Sequence, residues 1–272
     1  MNFPRLPVGK MADEPASAGL SWLGYVAVAL GATAVGGTVV AGVRRAARVK
    51  AARATFHTLL SAAAGTDARI VITGATSGVG EELAREFSRN PSVSLLLGCR
   101  DITRGEQVAA ACGNASVVKL DCLDLASVRG FTAEAREFLE AGAGPSVSGL
   151  RLVVNNAGVM SAPQEASADG FEPTWATNFM APFVSTELLA SGRQPGSLPP
   201  LRVVNVSSRL ENRAKLTEET LGLVGNPAAE LKKEKKGIRG SAYADSKRAM
   251  MLWIAHRAET LAADHNTYVS DE

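Results

Sequence analysis

The stretch that decides the fold is Ile70-Val71-Ile72-Thr73-Gly74-Ala75-Thr76-Ser77-Gly78-Val79-Gly80. An apolar run ends in a threonine, three glycines follow in the order T-G-x-x-x-G-x-G, and a helical pattern comes next. This order predicts a strand, a tight turn and the N-terminus of a helix. Glycine lets the backbone approach a ligand, and the first N–H groups of a helix point at negative charge. The turn is therefore a candidate site for the pyrophosphate of a dinucleotide, with a plain tight turn as the alternative.

Size and composition fit one α/β domain with an appendage. The chain has 272 residues and a formal net charge of +2, which gives no reason to expect nucleic-acid binding. Cys99, Cys112 and Cys122 lack the spacing of metal ligands, so no metal site is expected. We interpret them as small buried filler in a protein of a reducing compartment.

The N-terminal part predicts a membrane anchor. Residues 1–19 have no periodicity and are predicted to be a disordered tail. Residues 20–43 carry no charge, are long enough to cross a bilayer of roughly 30 Å, and place Trp22 and Tyr25 at one end. Residues 44–66 are predicted to be a basic helical linker. The basic residues that follow the span are Arg44, Arg45, Arg48, Lys50 and Arg53.

These charges favour a single-pass topology in which the folded domain faces the cytosol, because positive flanks stay on the cytosolic side. A membrane of endoplasmic-reticulum type is expected, with a plastid or another organelle as the alternative. A cleaved signal peptide, an organelle-targeting segment or a loose apolar tail would also give such an uncharged run.

Residues 67–272 alternate between strand and helix patterns. The predicted strands are Arg69–Thr73, Val93–Cys99, Ser116–Leu120, Leu150–Asn155 and Leu201–Val206. The predicted helices are Val79–Asn90, Ile102–Ala111, Leu125–Glu140, Ala168–Ser191 with a kink or break at Pro182, and Tyr243–Ala263. Repeated βα units predict a doubly wound parallel sheet of Rossmann type. This sheet is expected to be truncated after the helix that follows strand 5, although Thr267–Val269 could begin a sixth strand.

The end of the second strand bears on the choice of cofactor. At this position an acid favours NAD, by binding a ribose hydroxyl, whereas an arginine favours NADP, by binding the 2′-phosphate. Here Arg100 follows the strand directly, Arg104 lies one helical turn further on, and Asp101 is predicted to be the N-cap of the next helix. We therefore expect NADP(H). The alternative is that Arg100 is a solvated surface residue.

Three further motifs follow in chain order. Asn155-Asn156-Ala157-Gly158 ends the fourth strand, and Ser207-Ser208 ends the fifth, so both face the edge of the sheet where ligands bind. Tyr243 and Lys247 are four residues apart and share one helix face. An ammonium group there would stabilise a tyrosine phenolate and make the tyrosine a usable acid–base group. Each motif alone is common and unspecific.

Together, in this order, the motifs resemble the short-chain dehydrogenase/reductase family, over about residues 68–268. Within the family, the chain is most similar to the retinol dehydrogenase and protochlorophyllide reductase group. The pointers are Gly98-Cys99-Arg100-Asp101, Ser127-Val128-Arg129-x-Phe131, the stretch from Gly170 to Phe179, and the long insertion between Ser208 and Tyr243.

The resemblance implies a role for each matching residue. Tyr243 would be the general acid–base, Lys247 would assist it and bind the ribose, Ser208 would orient the substrate oxygen, and Asn178 would hold a water of the proton relay. The implied cofactor-binding residues are Gly74, Thr76, Ser77, Gly78, Val79, Gly80, Arg100, Asp121, Asn155, Ala157, Gly158, Tyr243 and Lys247. The implied reaction is hydride transfer between nicotinamide and the carbonyl or alcohol carbon of a small lipophilic substrate, retinol-like or retinal-like.

The chain departs from the family pattern at its C-terminal end. The family continues with a Pro-Gly turn, a helix over the substrate and a seventh strand, whereas this sequence ends at Glu272. The cofactor site is therefore expected to be nearly complete and the substrate site incomplete, with the fifth strand near an open edge. The alternatives to an active reductase are an inactive or incomplete relative that binds NADP without turnover, and a pigment enzyme similar to protochlorophyllide reductase.

Overall fold

The computed structural model describes residues 67–142, 149–160, 166–193, 198–216, 241–262 and 267–271. The predicted tail, membrane span and basic linker, and most of the insertion before Tyr243, lie outside these residues. Among the helices within the described ranges, none is long and apolar enough to cross a membrane.

Strands and helices alternate along the described chain. The strands are β1 Ala68–Thr73, β2 Val93–Cys99, β3 Ala115–Lys119, β4 Arg151–Asn155, β5 Leu201–Asn205 and β6 Thr267–Asp271. The helices are α1 Gly78–Phe87, α2 Ile102–Cys112, α3 Leu125–Glu140, α4 Pro173–Trp175, α5 Ala181–Ala190 and α6 Ser241–Ala262. A π-helical turn, Ala176–Met180, joins α4 to α5, and a 3₁₀ helix, Arg209–Arg213, follows β5.

The strands form one parallel sheet in the order β3-β2-β1-β4-β5-β6. The expected doubly wound parallel sheet is thus confirmed, but its truncation after the helix that follows strand 5 is wrong. Strand β6 pairs with β5 from Leu201 opposite Thr267 to Asn205 opposite Asp271. This pairing satisfies the backbone of β5, which is therefore not at the edge of the sheet.

The sheet is covered on both faces. On one face, Ile70 and Ile72 pack with Phe87 of α1 and Val108 of α2. On the other face, Val71 packs with Phe131 of α3 and with residues of α5. Strands buried on both sides read as continuous apolar runs, which is why the sequence pattern identified them. With both faces covered, the carboxyl ends of the strands are the open place for a ligand.

The segment after β4 differs from its prediction. A helix was expected from Ala168, but Gly170 adopts a φ of +84°, and the helical stretch begins only at Pro173, capped by the side chain of Glu172. At Pro182, where a kink or break was predicted, the helical stretch is continuous but changes from the π form, Ala176–Met180, to the α form from Ala181. Proline has no N–H to donate to the carbonyl four residues earlier, and the preceding turn widens to the π form around Asn178.

Candidate active site

The glycine turn combines two glycines required by packing with one that faces open space. A Cβ on Gly74 (φ +67°) would lie 2.8 Å from Cα of Ala157, and one on Gly80 would lie 2.5 Å from Nδ2 of Asn156. Gly78 has a φ of +57° but no atom within 4 Å of its would-be Cβ. Gly74 and Gly80 therefore let the turn pack against the end of β4, while Gly78 leaves an exposed backbone surface.

A polar brace ties this turn to the end of β4. The Thr73 hydroxyl accepts hydrogen bonds from the backbone N–H groups of Asn156 (3.1 Å) and Ala157 (3.0 Å). The Asn156 amide donates to the carbonyls of Thr73 (3.0 Å) and Gly74 (3.2 Å). Sequence reasoning did not assign Thr73 or Asn156 a role. The feature of the sequence that could have pointed to this contact is the threonine that ends the strand directly before the glycines.

The helix N-terminus beside the turn has groups available for an anion. Ser77 is the N-cap of α1, yet its side chain makes no capping hydrogen bond. The first N–H groups of a helix have no acceptor within the helix, and they carry partial positive charge. Ser77 and Gly78 are both exposed, and Thr76 and Val79 flank them half-buried. The open backbone at Gly78 and these free donors fit the pyrophosphate of a dinucleotide cofactor.

Two predicted contacts for the adenosine half lie at the ends of β2 and β3. Arg100 is exposed directly after β2, and Asp101 caps α2 by accepting from the backbone N–H of Arg104 at 3.0 Å, which confirms the predicted N-cap. Asp121 is half-buried after β3, and one of its oxygens accepts from the N–H of Leu123 at 3.0 Å.

The other predicted adenosine contacts lie at the end of β4. The Asn155 side chain is buried, and its amide nitrogen donates to Thr186 (3.1 Å) and Asn205 (2.9 Å). Asn155 therefore joins β4 to β5 and α5 through its side chain. Ala157 and Gly158, which follow it, are half-buried and exposed, respectively.

A cleft opens between the ends of β1, β3 and β4. It is lined by Thr73, Leu120, Cys122, Asn155, Ala157 and Pro182, among others. Burial raises the pKa of the Cys122 thiol to about 12; the charge of Asp121 adds to this shift, and that of Arg100 opposes it.

Lys247 is a buried cation at the carboxyl end of β5. It is 5% exposed, and its amino group donates to the carbonyl of Val206 at 2.6 Å. The same nitrogen lies 6.0 Å from the centroid of the Tyr243 ring. Burial lowers the pKa of Lys247 from 10.5 to about 8. The predicted Tyr–Lys pair therefore lies beside the carboxyl end of β5.

Asn178 lies in the π-helical turn, and both the oxygen and the nitrogen of its side-chain amide form hydrogen bonds. Its oxygen accepts from the N–H of Val159 (2.8 Å), and its nitrogen donates to the Val159 carbonyl (3.0 Å) and to the Ser246 hydroxyl (3.1 Å). A Cβ on Gly158 would lie 3.3 Å from the Asn178 oxygen and 3.5 Å from the Lys247 nitrogen. The structure thus brings Gly158, Asn178 and Lys247 together.

The serine pair follows β5 at the same edge. The Ser208 hydroxyl caps the 3₁₀ helix by accepting from the N–H of Leu210 at 3.3 Å. Oγ of Ser207 is buried and has no hydrogen-bond partner within the described part of the chain. Two contacts fasten this region to α6: Arg248 to Glu211 at 2.8 Å, and the N–H of Lys215 to Asp245 at 2.8 Å.

These features define a class of protein. A parallel doubly wound sheet carries a glycine turn at the end of β1, and a buried lysine lies with a tyrosine at the end of β5. This is the arrangement of a dinucleotide-binding oxidoreductase. The sequence profile described as short chain dehydrogenase matches residues 68–216. The chain belongs to the short-chain dehydrogenase family.

Similar proteins agree with this assignment. The chain is 35% identical to retinol dehydrogenase 12 of Homo sapiens over 202 residues, which are 71% of this chain and 56% of that protein. It is 34% identical to retinol dehydrogenase 11 of Homo sapiens, with the same coverage of 71% and 56%. A crystal structure of a protein from Mycobacterium Paratuberculosis aligns with a TM-score of 0.57 at 29% identity, over 76% of this chain and 70% of that one. The chain thus spans little more than half the length of these two retinol dehydrogenases.

Proposed function

We propose that this protein is an NADP(H)-dependent oxidoreductase that interconverts an alcohol and a carbonyl group of a small lipophilic substrate. The observation that carries the proposal is Lys247, held almost without solvent beside Tyr243 and the end of β5. Burying a lysine without an ion pair is unfavourable, so a protein that keeps one at a ligand-binding edge points to a chemical role.

Different residues of the site have different roles, some in binding and others in proton transfer. At pH 7 the Lys247 amino group is mostly protonated, because its pKa of about 8 lies above that pH. This amino group lies 6.0 Å from the centroid of the Tyr243 ring, and in the proposed reaction Tyr243 gives or takes the proton of the substrate oxygen. Ser208 orients that oxygen by a hydrogen bond. A bound nicotinamide cofactor supplies the hydride chemistry.

Asn178 lies close to Lys247, and both side chains border Gly158. The side-chain amide of Asn178 binds the backbone of Val159. The main-chain carbonyl of Asn178 lacks its usual helical donor, because that donor would be the N–H of Pro182, four residues later, and proline has none. A water bound at that carbonyl would continue a proton path from Lys247 to solvent.

The substrate class is proposed from the relatives. The two human proteins described above are named retinol dehydrogenases, and retinol is a lipophilic alcohol. We extend that class, retinol-like or retinal-like, to this chain. Met160, two residues after Gly158, is 60% exposed and would offer such a substrate an apolar contact.

The test is NADPH oxidation, followed at 340 nm, by the full chain with retinal as substrate. We expect turnover that falls by at least about 100-fold in Tyr243→Phe, a variant that keeps the ring and removes the acid–base oxygen. NADPH titrations followed by tryptophan fluorescence should give similar affinities for both proteins. Binding of NADPH without any turnover would favour the inactive relative instead, and turnover only under illumination with a pigment would favour the protochlorophyllide-reductase-like alternative.

We further propose that residues 20–43 anchor the protein in a membrane of endoplasmic-reticulum type, with the folded domain in the cytosol. The support is the uncharged run and the basic residues after it. Alkaline carbonate extraction of cell membranes should leave the full chain in the pellet and release a chain that lacks residues 20–43. Release of both proteins would refute the anchor.

A further inference from the structure

Lys119, the last residue of β3, lies next to the proposed subsite for the 2′-phosphate, and the role described here rests on the proposed use of NADP(H). Lys119 pairs with Cys99, the last residue of β2, and the N–H of Leu120 donates to the Cys99 carbonyl at 2.9 Å. This register places Lys119 beside Arg100, which follows β2. Sequence reasoning did not select Lys119, because its distance from Arg100 along the chain hides this contact.

The Lys119 side chain holds the backbone of Arg100. Its amino group donates to the Arg100 carbonyl at 2.7 Å. The next residue, Asp101, is fixed in turn by its side-chain bond to the N–H of Arg104 at 3.0 Å. Two consecutive residues are thus anchored where the Arg100 side chain leaves the backbone. An ammonium has three donors, so Lys119 keeps capacity for another acceptor.

Three cationic side chains lie at this place, together with the carboxylate of Asp101, which caps α2. Arg100, Arg104 and Lys119 are all exposed, and no carboxylate in the described part of the chain forms an ion pair with any of them. An exposed cation without an ion-pair partner contributes little to the stability of the fold. A doubly charged phosphate that binds to several such cations forms charge-assisted hydrogen bonds with them. A ligand that differs only by one phosphate would therefore be distinguished here.

We propose that Lys119 is a specificity-determining residue for NADP(H). It positions Arg100 through the main-chain carbonyl and adds a second positive charge to the subsite for the 2′-phosphate. Lysine acts on phosphate as a point charge, whereas arginine binds it through two parallel N–H groups. Arg100 therefore supplies the directed contact to the phosphate. Lys119 fixes the backbone of Arg100 and adds to the positive electrostatic potential at the subsite.

The experiment measures dissociation constants of NADPH and NADH for the full chain and its variants, by tryptophan fluorescence at one fixed ionic strength. We expect Lys119→Met to weaken NADPH binding about tenfold and NADH binding less than twofold. Lys119→Gln should behave like Lys119→Met, and Lys119→Arg should retain NADPH binding within about threefold. Arg89→Met is the control for loss of an exposed positive charge elsewhere, because Arg89 lies two residues beyond the C-terminal end of α1, where it pairs with Glu86 at 3.1 Å. It should leave both constants unchanged.

A double-mutant cycle separates the positioning of Arg100 from charge alone. If Lys119 acts partly through Arg100, the effects of Lys119→Met and Arg100→Met on NADPH binding are less than additive, by threefold or more. An unchanged preference for NADPH in Lys119→Met, in a protein whose unaltered form prefers NADPH, would overturn this inference alone. No preference for NADPH in the unaltered protein would overturn both this inference and the proposed cofactor.

Discussion

Replacing Lys247 by methionine should leave the fold as stable as before or make it more stable, while it removes the ammonium group that we propose takes part in catalysis. Lys247 is 5% exposed, and burial lowers its pKa from 10.5 to about 8. The difference, 10.5 − 8 = 2.5 pKa units, at about 1.36 kcal/mol per unit, corresponds to about 3 kcal/mol of unfolding free energy lost at neutral pH to burial of the charge.

The lost hydrogen bond offsets part of this gain. Methionine leaves the Val206 carbonyl without the donor that Lys247 places 2.6 Å away. An unsatisfied buried acceptor costs about 1–3 kcal/mol. At pH 7 we therefore expect the free energy of unfolding of Lys247→Met to lie between unchanged and about 2 kcal/mol above that of the unaltered chain.

The pH dependence is the sharper signature. Between pH 8 and 10.5 the unfolded chain still binds the proton that folded Lys247 has released, so this residue makes the unaltered protein more stable as the pH rises. The methionine variant lacks this contribution. Its advantage over the unaltered protein should therefore shrink by about 2–3 kcal/mol between pH 7 and pH 10.

The assay is urea unfolding of the full chain at pH 7 and pH 10, followed by tryptophan fluorescence with the same detergent in every sample. Lys119→Met at pH 7 is the control for the same replacement at an exposed position, where a change within about 0.5 kcal/mol is expected. A methionine variant at position 247 that is less stable by more than about 2 kcal/mol at both pH values would refute the reasoning. Lys247 would then be stabilising the fold rather than being tolerated by it.

Two further predictions concern the glycine turn and the thiols. Gly74→Ala and Gly78→Ala both place alanine at positive φ, at a cost of about 1 kcal/mol each, but only Gly74→Ala also meets the Ala157 backbone, which adds about 1–3 kcal/mol. In urea unfolding, the free energy of unfolding should be clearly lower for Gly74→Ala than for Gly78→Ala. The affinity for NADPH should fall in Gly78→Ala. Equal stabilities of the two variants would contradict the close packing at Gly74. Burial raises the pKa of Cys99 to about 11 and that of Cys122 to about 12, so both are thiols at pH 7.5. Peptide mapping after iodoacetamide treatment should find the buried Cys99 labelled at least about 100-fold more slowly in the folded protein than in urea, with a smaller difference at the half-buried Cys122. A comparable rate for Cys99 in both states would show that its side chain is open to solvent.

Much of the fold could be read from local pattern because the forces that make it are local or periodic. Strand β2, Val93–Cys99, and helix α3, Leu125–Glu140, have the bounds that their patterns predict. A strand buried on both faces must be apolar throughout, and a helix with one buried face must repeat at its own period. The errors lie where distant groups decide, as at Ala168, where a left-handed Gly170 delays the helix to Pro173.

The sixth strand shows the same limit. Thr267–Val269 is short and weakly patterned in sequence, and only the neighbouring β5 makes a strand of Thr267–Asp271. Strand pairing is a contact between segments far apart in the chain, so a short pattern cannot establish it.

The sequence by itself determined the class of protein. Glycines at fixed spacing, an arginine after β2 and a tyrosine four residues before a lysine are short-range patterns. Each is unspecific alone, and it is their order along the chain that resembles the short-chain dehydrogenase/reductase family. They identified the turn at Gly74–Gly80 and the pair Tyr243 and Lys247 without knowledge of the tertiary structure.

Only the tertiary structure decided what each of these groups contacts. It directed the Asn155 amide inward to Thr186 and Asn205, braced the glycine turn with Thr73, and placed Lys119 on the Arg100 carbonyl. It also lowered the pKa of Lys247, because desolvation depends on everything packed around the amino group. Hydrogen-bond partners and burial are properties of the whole fold, and they are settled only when strands far apart in sequence lie side by side.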